Sequence, residues 1–451
     1  MEMHRKPRHG VFKAVMRYFA CRPLFFWLNA VLVGGWLYLL WPLFSPVFFT
    51  PIYAIYLAAL LLPAIAYAYL ALIGGHRTNL GLLICLFFVL ATGETYLRLK
   101  VDPRGDRFSR PIIANGQHPY YVFTGIPNTL GEMAPQMGGA NGIENVVKLN
   151  SLGFRIERPL QKRKPAGELR IFVVGGSTVF MGAPLTKTIP GQIEAELVRR
   201  GMSGAKVYNF GVISAVSGQE LALLTHLLVD YEPDLVISYG GGNDFHSPYQ
   251  YDPRPGFPLN FVKLQIGARA LDDGLDLRSA LASQLFKSRL IALIFASRSQ
   301  EIRLPMRTLR MEVGYRAPDW ENSIIEAYIN NLRRMCRIGH GFNFKFYAVL
   351  QPLIFQKLPL SDAEKAIKFG DAKFASYMQR QHDRAATAFS RLQASDGADG
   401  TCRFVDLSDE FANDSRNLFW DFIHVNNDGN ATIGSAIAND LTRSLFSDRT
   451  H

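Results

Sequence analysis

Cysteine is scarce. The 451 residues contain four, Cys21, Cys85, Cys336 and Cys402, and no two stand in a C-x-x-C spacing. This excludes the thiolate clusters that hold structural zinc or iron–sulfur groups. Cys21 and Cys85 fall at or within long apolar runs. Cys336 and Cys402 read as two unrelated buried thiols, with a disulfide between them as the lesser reading, open only in an oxidising compartment. Acidic residues are also in deficit, 38 against 49 Lys and Arg, for a formal net charge of +11. A basic excess can signal nucleic acid, but no nucleic-acid-binding motif is present and no such partner is expected. Part of the excess is the N-terminal cluster Arg5, Lys6, Arg8, Lys13, Arg17 and Arg22. Internal repeats and low-complexity tracts are absent.

Charge is missing where it matters most. Residues 24–44 and 52–73 carry none and are almost wholly apolar. Each is long enough to cross a hydrocarbon layer of about 30 Å, which takes about 20 residues. Residues 80–97 form a third, shorter candidate, with Glu94 at the interface end. A cleaved signal peptide does not fit, because a second span follows the first almost at once. The basic cluster before the first span keeps the N-terminus cytoplasmic. Three crossings then place everything after about Lys100 in the periplasm or outside the cell, whereas two would leave it in the cytoplasm. The expected plan is a cytoplasmic basic N-terminus (1–23), a transmembrane region (24–100), a connector (101–166) and a C-terminal domain (167–451) with an insertion at about 249–318. The lipid bilayer is thus one expected partner and the inner membrane the expected location.

The connector is rich in Gly, Pro and Asn, with aromatic islands such as Tyr120 to Phe123, and reads as surface-packed with an unstructured middle. From Leu169 short apolar runs alternate with helical periodicity. Strands are expected at 171–174, 207–210, 235–239, 344–350 and 404–407, and helices at 189–200, 219–229, 320–338 and 431–445. This alternation predicts parallel βαβ units. The insertion is too long for an ordinary loop. Within it, residues 279–298 mix aliphatic side chains with Lys287, Arg289 and Arg298 and read as a lid helix, a membrane-surface helix or a helix on the sheet's flank.

Chemistry-bearing residues recur at strand ends. Ser177 follows the first strand across Gly175-Gly176, Gly211 ends the second, Asn243 follows the third in Gly241-Gly242-Asn243-Asp244, and Asp421 and His424 follow the last. Acyl transfer needs such a set: a nucleophile, a base, a group that fixes the base's tautomer, and donors aimed at an oxyanion. The two-residue gap lets Asp421 accept from His424 Nδ1–H and leaves Nε2 for the serine. His246, just beyond Asn243, reads as a surface histidine in preference to a pocket residue.

In these blocks, GGST at 175–178, the Gly211 block, GxND at 241–244 and DxxH at 421–424, the chain resembles the SGNH (GDSL-like) hydrolases over about residues 169–446. The resemblance implies a flavodoxin-like three-layer α/β/α fold with a parallel sheet. It implies Ser177 as nucleophile, His424 as base and Asp421 as its orienter. The implied oxyanion hole is Ser177 N–H, Gly211 N–H and the Asn243 side chain, with no cofactor or metal. Asn150 to Arg155 and Gln351-Pro352 resemble features of membrane-anchored bacterial members. One departure is Gly176, where many members carry Asp. The expected activity is hydrolysis of an O-acyl ester, acetyl included, of a cell-envelope glycan, a lipid or a small ester. Alternatives are an acyltransferase using the same triad and a non-catalytic scaffold.

Overall fold

A computed structural model describes residues 116–132, 146–259, 261–262, 264–265 and 303–446. The three candidate membrane segments, Cys21, Cys85 and residues 279–298 lie outside the described residues. Among the described residues, no helix is long and apolar enough to cross a membrane.

Five strands form a parallel sheet: β5 (Leu169–Gly175), β6 (Ala205–Gly211), β7 (Leu235–Gly240), β8 (Lys345–Leu350) and β9 (Cys402–Asp406), in the order β6-β5-β7-β8-β9. Every residue of β5 and β7 is buried. Continuous Val, Ile and Phe are what a strand covered on both faces requires. The register pairs Gly175 with Gly211 and with Tyr239, so the carboxyl ends of β5, β6 and β7 lie level. Counted from β5, the order is 2-1-3-4-5, the doubly wound flavodoxin-like arrangement, and its switch point lies beside β5.

Helices cover both faces. On one, α2 (Ile189–Arg199) packs with α9 (Asn427–Ser444). On the other lie α3 (Ser217–His226), α6 (Pro318–Phe342) and α8 (Ala372–Ser395). Neighbouring strand residues divide accordingly: Tyr347 Oη donates to Asp440 of α9 at 2.9 Å, while Phe346 meets Phe404, which packs edge-on against Phe389 of α8. The remaining helices are α1 (Ser177–Phe180), α4 (Gly242–Gln250), α5 (Arg303–Glu312) and α7 (Asp362–Phe369).

Two expectations need correction. Cys336 on α6 and Cys402 on β9 are joined in a disulfide, with Cα atoms 5.7 Å apart, so they are not unrelated thiols. Their elements are neighbours because α6 packs on β8, the strand beside β9. The connector, in which no strands are expected, also has more regular structure than its composition signals. It forms two small antiparallel pairs, β1 (Gly116–His118) with β2 (Val122–Thr124) and β3 (Leu130–Glu132) with β4 (Val146–Lys148). Tyr121, Phe123, Phe154 and Ile156 belong to the same buried cluster as the sheet. A boundary at residue 167 therefore falls inside the packed unit. Asn150 makes the turn: its side chain accepts from Leu152 N–H and Phe154 N–H, both at 3.0 Å, and sends Arg155 inward.

Candidate active site

Ser177 is the first residue of α1, directly beyond β5. A Cβ on Gly176 would meet Asn243 Nδ2, so a larger residue before the serine would require the Asn243 amide to shift. Ser177 Oγ and His424 Nε2 are 2.6 Å apart, and His424 Nδ1 and Asp421 Oδ2 are also 2.6 Å apart. With the proton on Nδ1 donated to Asp421, Nε2 is free to accept from the serine hydroxyl. Asp421 Oδ1 also accepts from Ile423 N–H at 2.9 Å and His424 N–H at 2.7 Å. Burial works against its charge, but the bond to His424 and these two amides outweigh burial and hold the carboxyl below its ordinary range.

The loop bearing Asp421 and His424 is closed by a bridge between Phe419 and Val425 and by stacking of Trp420 on the His424 ring, with centroids 4.6 Å apart. Beneath it sits a buried ion pair. Glu364 accepts from Lys357 Nζ at 2.7 Å, from Ser361 N–H at 2.9 Å, and from the amides of Leu418 and Phe419 at 3.0 and 3.1 Å. Every lone pair of this carboxylate is engaged, which is what makes its burial tolerable. Sequence reading missed Lys357 and Glu364; their signal was a capping box, Ser361 to Glu364, at the start of α7.

The expected oxyanion donors are not all free. Asn243 Nδ2 lies beside Gly176 and donates to Ala215 O at 2.8 Å, leaving its second hydrogen for another acceptor. Ser177 N–H has no acceptor among the described residues. Gly211 departs from expectation. Its N–H donates to Asn209 Oδ1 at 2.9 Å, and a Cβ there would meet Phe180 N at 2.5 Å. The glycine serves the close approach of α1 to β6, and Asn209 completes the staple by donating to Val179 O at 2.9 Å. Ser214, three residues on, takes a positive φ of 64°, and its N–H is without an acceptor among the described residues. Sequence could not mark it, since left-handed backbone is usually signalled by Gly or Asn.

Asp244 ties the two donor turns together, accepting from Ser217 N–H at 3.1 Å and Ser217 Oγ at 2.5 Å across the start of α3. Burial pushes its carboxyl up to about 6, against the pull of the Ser217 bonds. Behind it Glu220, bonded to Ser238 Oγ at 2.6 Å, is pushed by burial up to about 8.

Arg155 arrives from the connector. Buried, it donates from Nη1 to Phe180 O at 2.7 Å and Gly182 O at 2.5 Å, clamping the exit of α1. Burial lowers its guanidinium to about 10, with Glu157 pulling the other way. Gln351 is also buried; its Oε1 accepts from Thr178 Oγ1 at 3.5 Å, and its carbonyl meets His382 Nε2 at 2.9 Å. His246 is not a surface histidine. It stands one turn after Asn243 on α4, half-buried, with ring centroids 4.9 Å from Phe422, 5.4 Å from Tyr251 and 5.7 Å from Phe374. Among the described residues the one grouping of metal-type ligands is Cys336, His340 and Cys402, whose two sulfurs are already joined.

No protein-family model matches the sequence, and no curated protein matches it. Several solved structures are similar. An α/β hydrolase enzyme from the metagenome of Lake Arreo, Spain, is 14% identical with a TM-score of 0.34, covering 61% of this chain and 94% of that one. An acetyl xylan esterase is 11% identical (TM-score 0.33; 61% and 99%). A GDSL-like lipase from Bacteroides thetaiotaomicron is 10% identical (TM-score 0.33; 62% and 92%). Likeness this slight carries no conclusion about activity, which has to come from the geometry of the site.

Proposed function

We propose that the protein is a membrane-anchored serine esterase of the SGNH (GDSL-like) superfamily, hydrolysing an O-acyl ester of a cell-envelope glycan or lipid. The observation that carries this reading is the unbroken relay from Ser177 through His424 to Asp421, two contacts of 2.6 Å, at the switch point of a doubly wound sheet. Ser177 Oγ attacks the ester carbonyl carbon while His424 Nε2 takes its proton. The charge on the carbonyl oxygen meets Ser177 N–H, Ser214 N–H and the Asn243 amide. Collapse breaks the bond to the alcohol oxygen, which leaves with the proton from His424. Water, deprotonated by the same nitrogen, then attacks the acyl-serine and releases the acid. Asp421 holds the imidazole in its tautomer and balances the imidazolium formed in each half. No metal or organic cofactor enters these steps.

Anchoring rests on the charge-free runs at 24–44 and 52–73, and residues 80–97 supply the third crossing. The Cys336–Cys402 disulfide supports an oxidising compartment, hence a periplasmic or extracellular catalytic domain. The test is covalent labelling of the full chain with a fluorophosphonate, alongside hydrolysis of a panel of esters. Labelling and turnover that vanish in Ser177→Ala are expected, a loss on the order of 10⁶ in turnover; an unlabelled wild type would sink the reading. Diversion of the acyl group to an added sugar would make the protein a transferase with the same machinery.

A further inference from the structure

His246 has no part in the relay, yet its placement is specific. On α4, whose residues are otherwise nearly all buried, Asn243 and His246 are the two half-buried positions, three residues apart and therefore on one face. That face looks toward the Asp421–His424 loop, because Phe422, inside the loop, lies 4.9 Å from the His246 ring. Phe374 of α8 stands edge-on to Phe422 with centroids 5.1 Å apart, and Tyr251, 37% exposed, closes the far side of the imidazole at 5.4 Å. In ester cleavage the leaving oxygen must face His424 Nε2, which returns the proton to it. The alcohol portion therefore extends along this loop and not toward the oxyanion donors.

We infer that His246, Tyr251, Phe374 and Phe422 form the subsite for the alcohol portion of the ester and that this alcohol is a sugar ring. The inference rests on the esterase reading above. A pyranose offers C–H faces that pack on aromatic rings and hydroxyls that need hydrogen-bond partners; the His246 imidazole, bonded to Gln250 through one nitrogen, has the other to offer. Burial keeps His246 neutral, pushing it down to about 4, while Gln250 and Asp421 pull the other way. A phosphate-bearing lipid headgroup would want a cation here. The nearby guanidinium of Arg316 is instead stacked over Tyr249 and Tyr315, at 4.5 and 5.0 Å.

The test compares kcat/KM for a mono-acetylated methyl glucopyranoside with that for ethyl acetate, using the full chain, His246→Ala, His246→Gln and Tyr251→Ala. The pyranoside-to-ethyl ratio is expected to fall about tenfold or more in His246→Ala, mainly through KM. Gln, which keeps a donor and an acceptor, restores part of it, and Tyr251→Ala lowers it by a smaller factor. An unchanged ratio in His246→Ala overturns the inference while leaving the esterase reading intact. If wild type cleaves neither ester and resists the fluorophosphonate, the esterase reading falls. Methyl glucopyranoside titrated into Ser177→Ala then decides the subsite: a saturable shift of the His246 Cε1–H resonance supports it, and no shift overturns it.

Discussion

The two halves of the site are fixed by different means. Ser177, Ser214 and Asn243 stand on turns that leave level strand ends, held by backbone pairing and by glycines that let turn meet turn. Asp421 and His424 stand on a loop beyond the last strand, held from below by Lys357 and Glu364. The Ser177 half inherits its precision from the sheet, whereas the His424 half rests on a loop bridge, a ring stack and a buried charge pair. Register cannot slip by a fraction of a residue; a loop on an ion pair can move by an ångström, which is enough to cost about 10²-fold in rate.

Breaking each half should separate them, in order of lost turnover. Asn243→Ala removes an oxyanion donor without touching the base; kcat should fall about 10²–10³-fold, with fluorophosphonate labelling slowed and the melting temperature little changed. Glu364→Gln strips the charge from under the other half. Stability should fall by about 3–5 kcal/mol in chemical denaturation, and turnover by up to about 10²-fold even at temperatures where the chain is folded. Equal stability in the variant and wild type would show that the loop does not depend on the pair. Arg155→Met leaves the carbonyls of Phe180 and Gly182 without their donor, costing about 1–3 kcal/mol and slowing labelling of Ser177 less than Glu364→Gln slows turnover.

Glu220→Gln should change the pH dependence of stability. The native carboxyl is raised from 4.5 to about 8, so its contribution is complete below the ordinary carboxylate range and lost as pH rises toward 8. Wild-type melting temperature should therefore decline between pH 5 and pH 8, and the glutamine variant should decline less. Asp244, raised to about 6, adds to the slope in both proteins.

Much of this could be read from sequence where one physical signal dominated. All five sheet strands are visible as short, mainly apolar runs, most plainly β5 and β7, which are buried throughout. Ser177, Asn243, Asp421 and His424 were visible because strand-end glycines and the two-residue gap constrain what can meet. What escaped depended on contacts distant in sequence. Helix α8 went unseen because Gln381 and His382 occupy buried positions in its apolar stripe, each satisfied by a partner on another element. Gly211 is a different case: the acceptor of its N–H is Asn209, only two residues back, in a local turn that the residue pair does not announce. His246 looked peripheral because Tyr251, Phe374 and Phe422 come from three separate segments. The disulfide spans 66 positions, and only the packing of α6 beside β9 brings its ends together.

Arg155 bears on where the chain can be cut without loosening the turn that carries Ser177. The clamp on the serine's turn is threaded through the segment leading from the apolar N-terminal runs to β5. A protease cutting after residue 160 would release a body that keeps Ser177, His424 and Asp421 but has lost the guanidinium that seats the turn. A cut ahead of residue 116 would release one with its clamp intact. The two cuts would therefore leave bodies with the same triad residues and a differently held Ser177 turn.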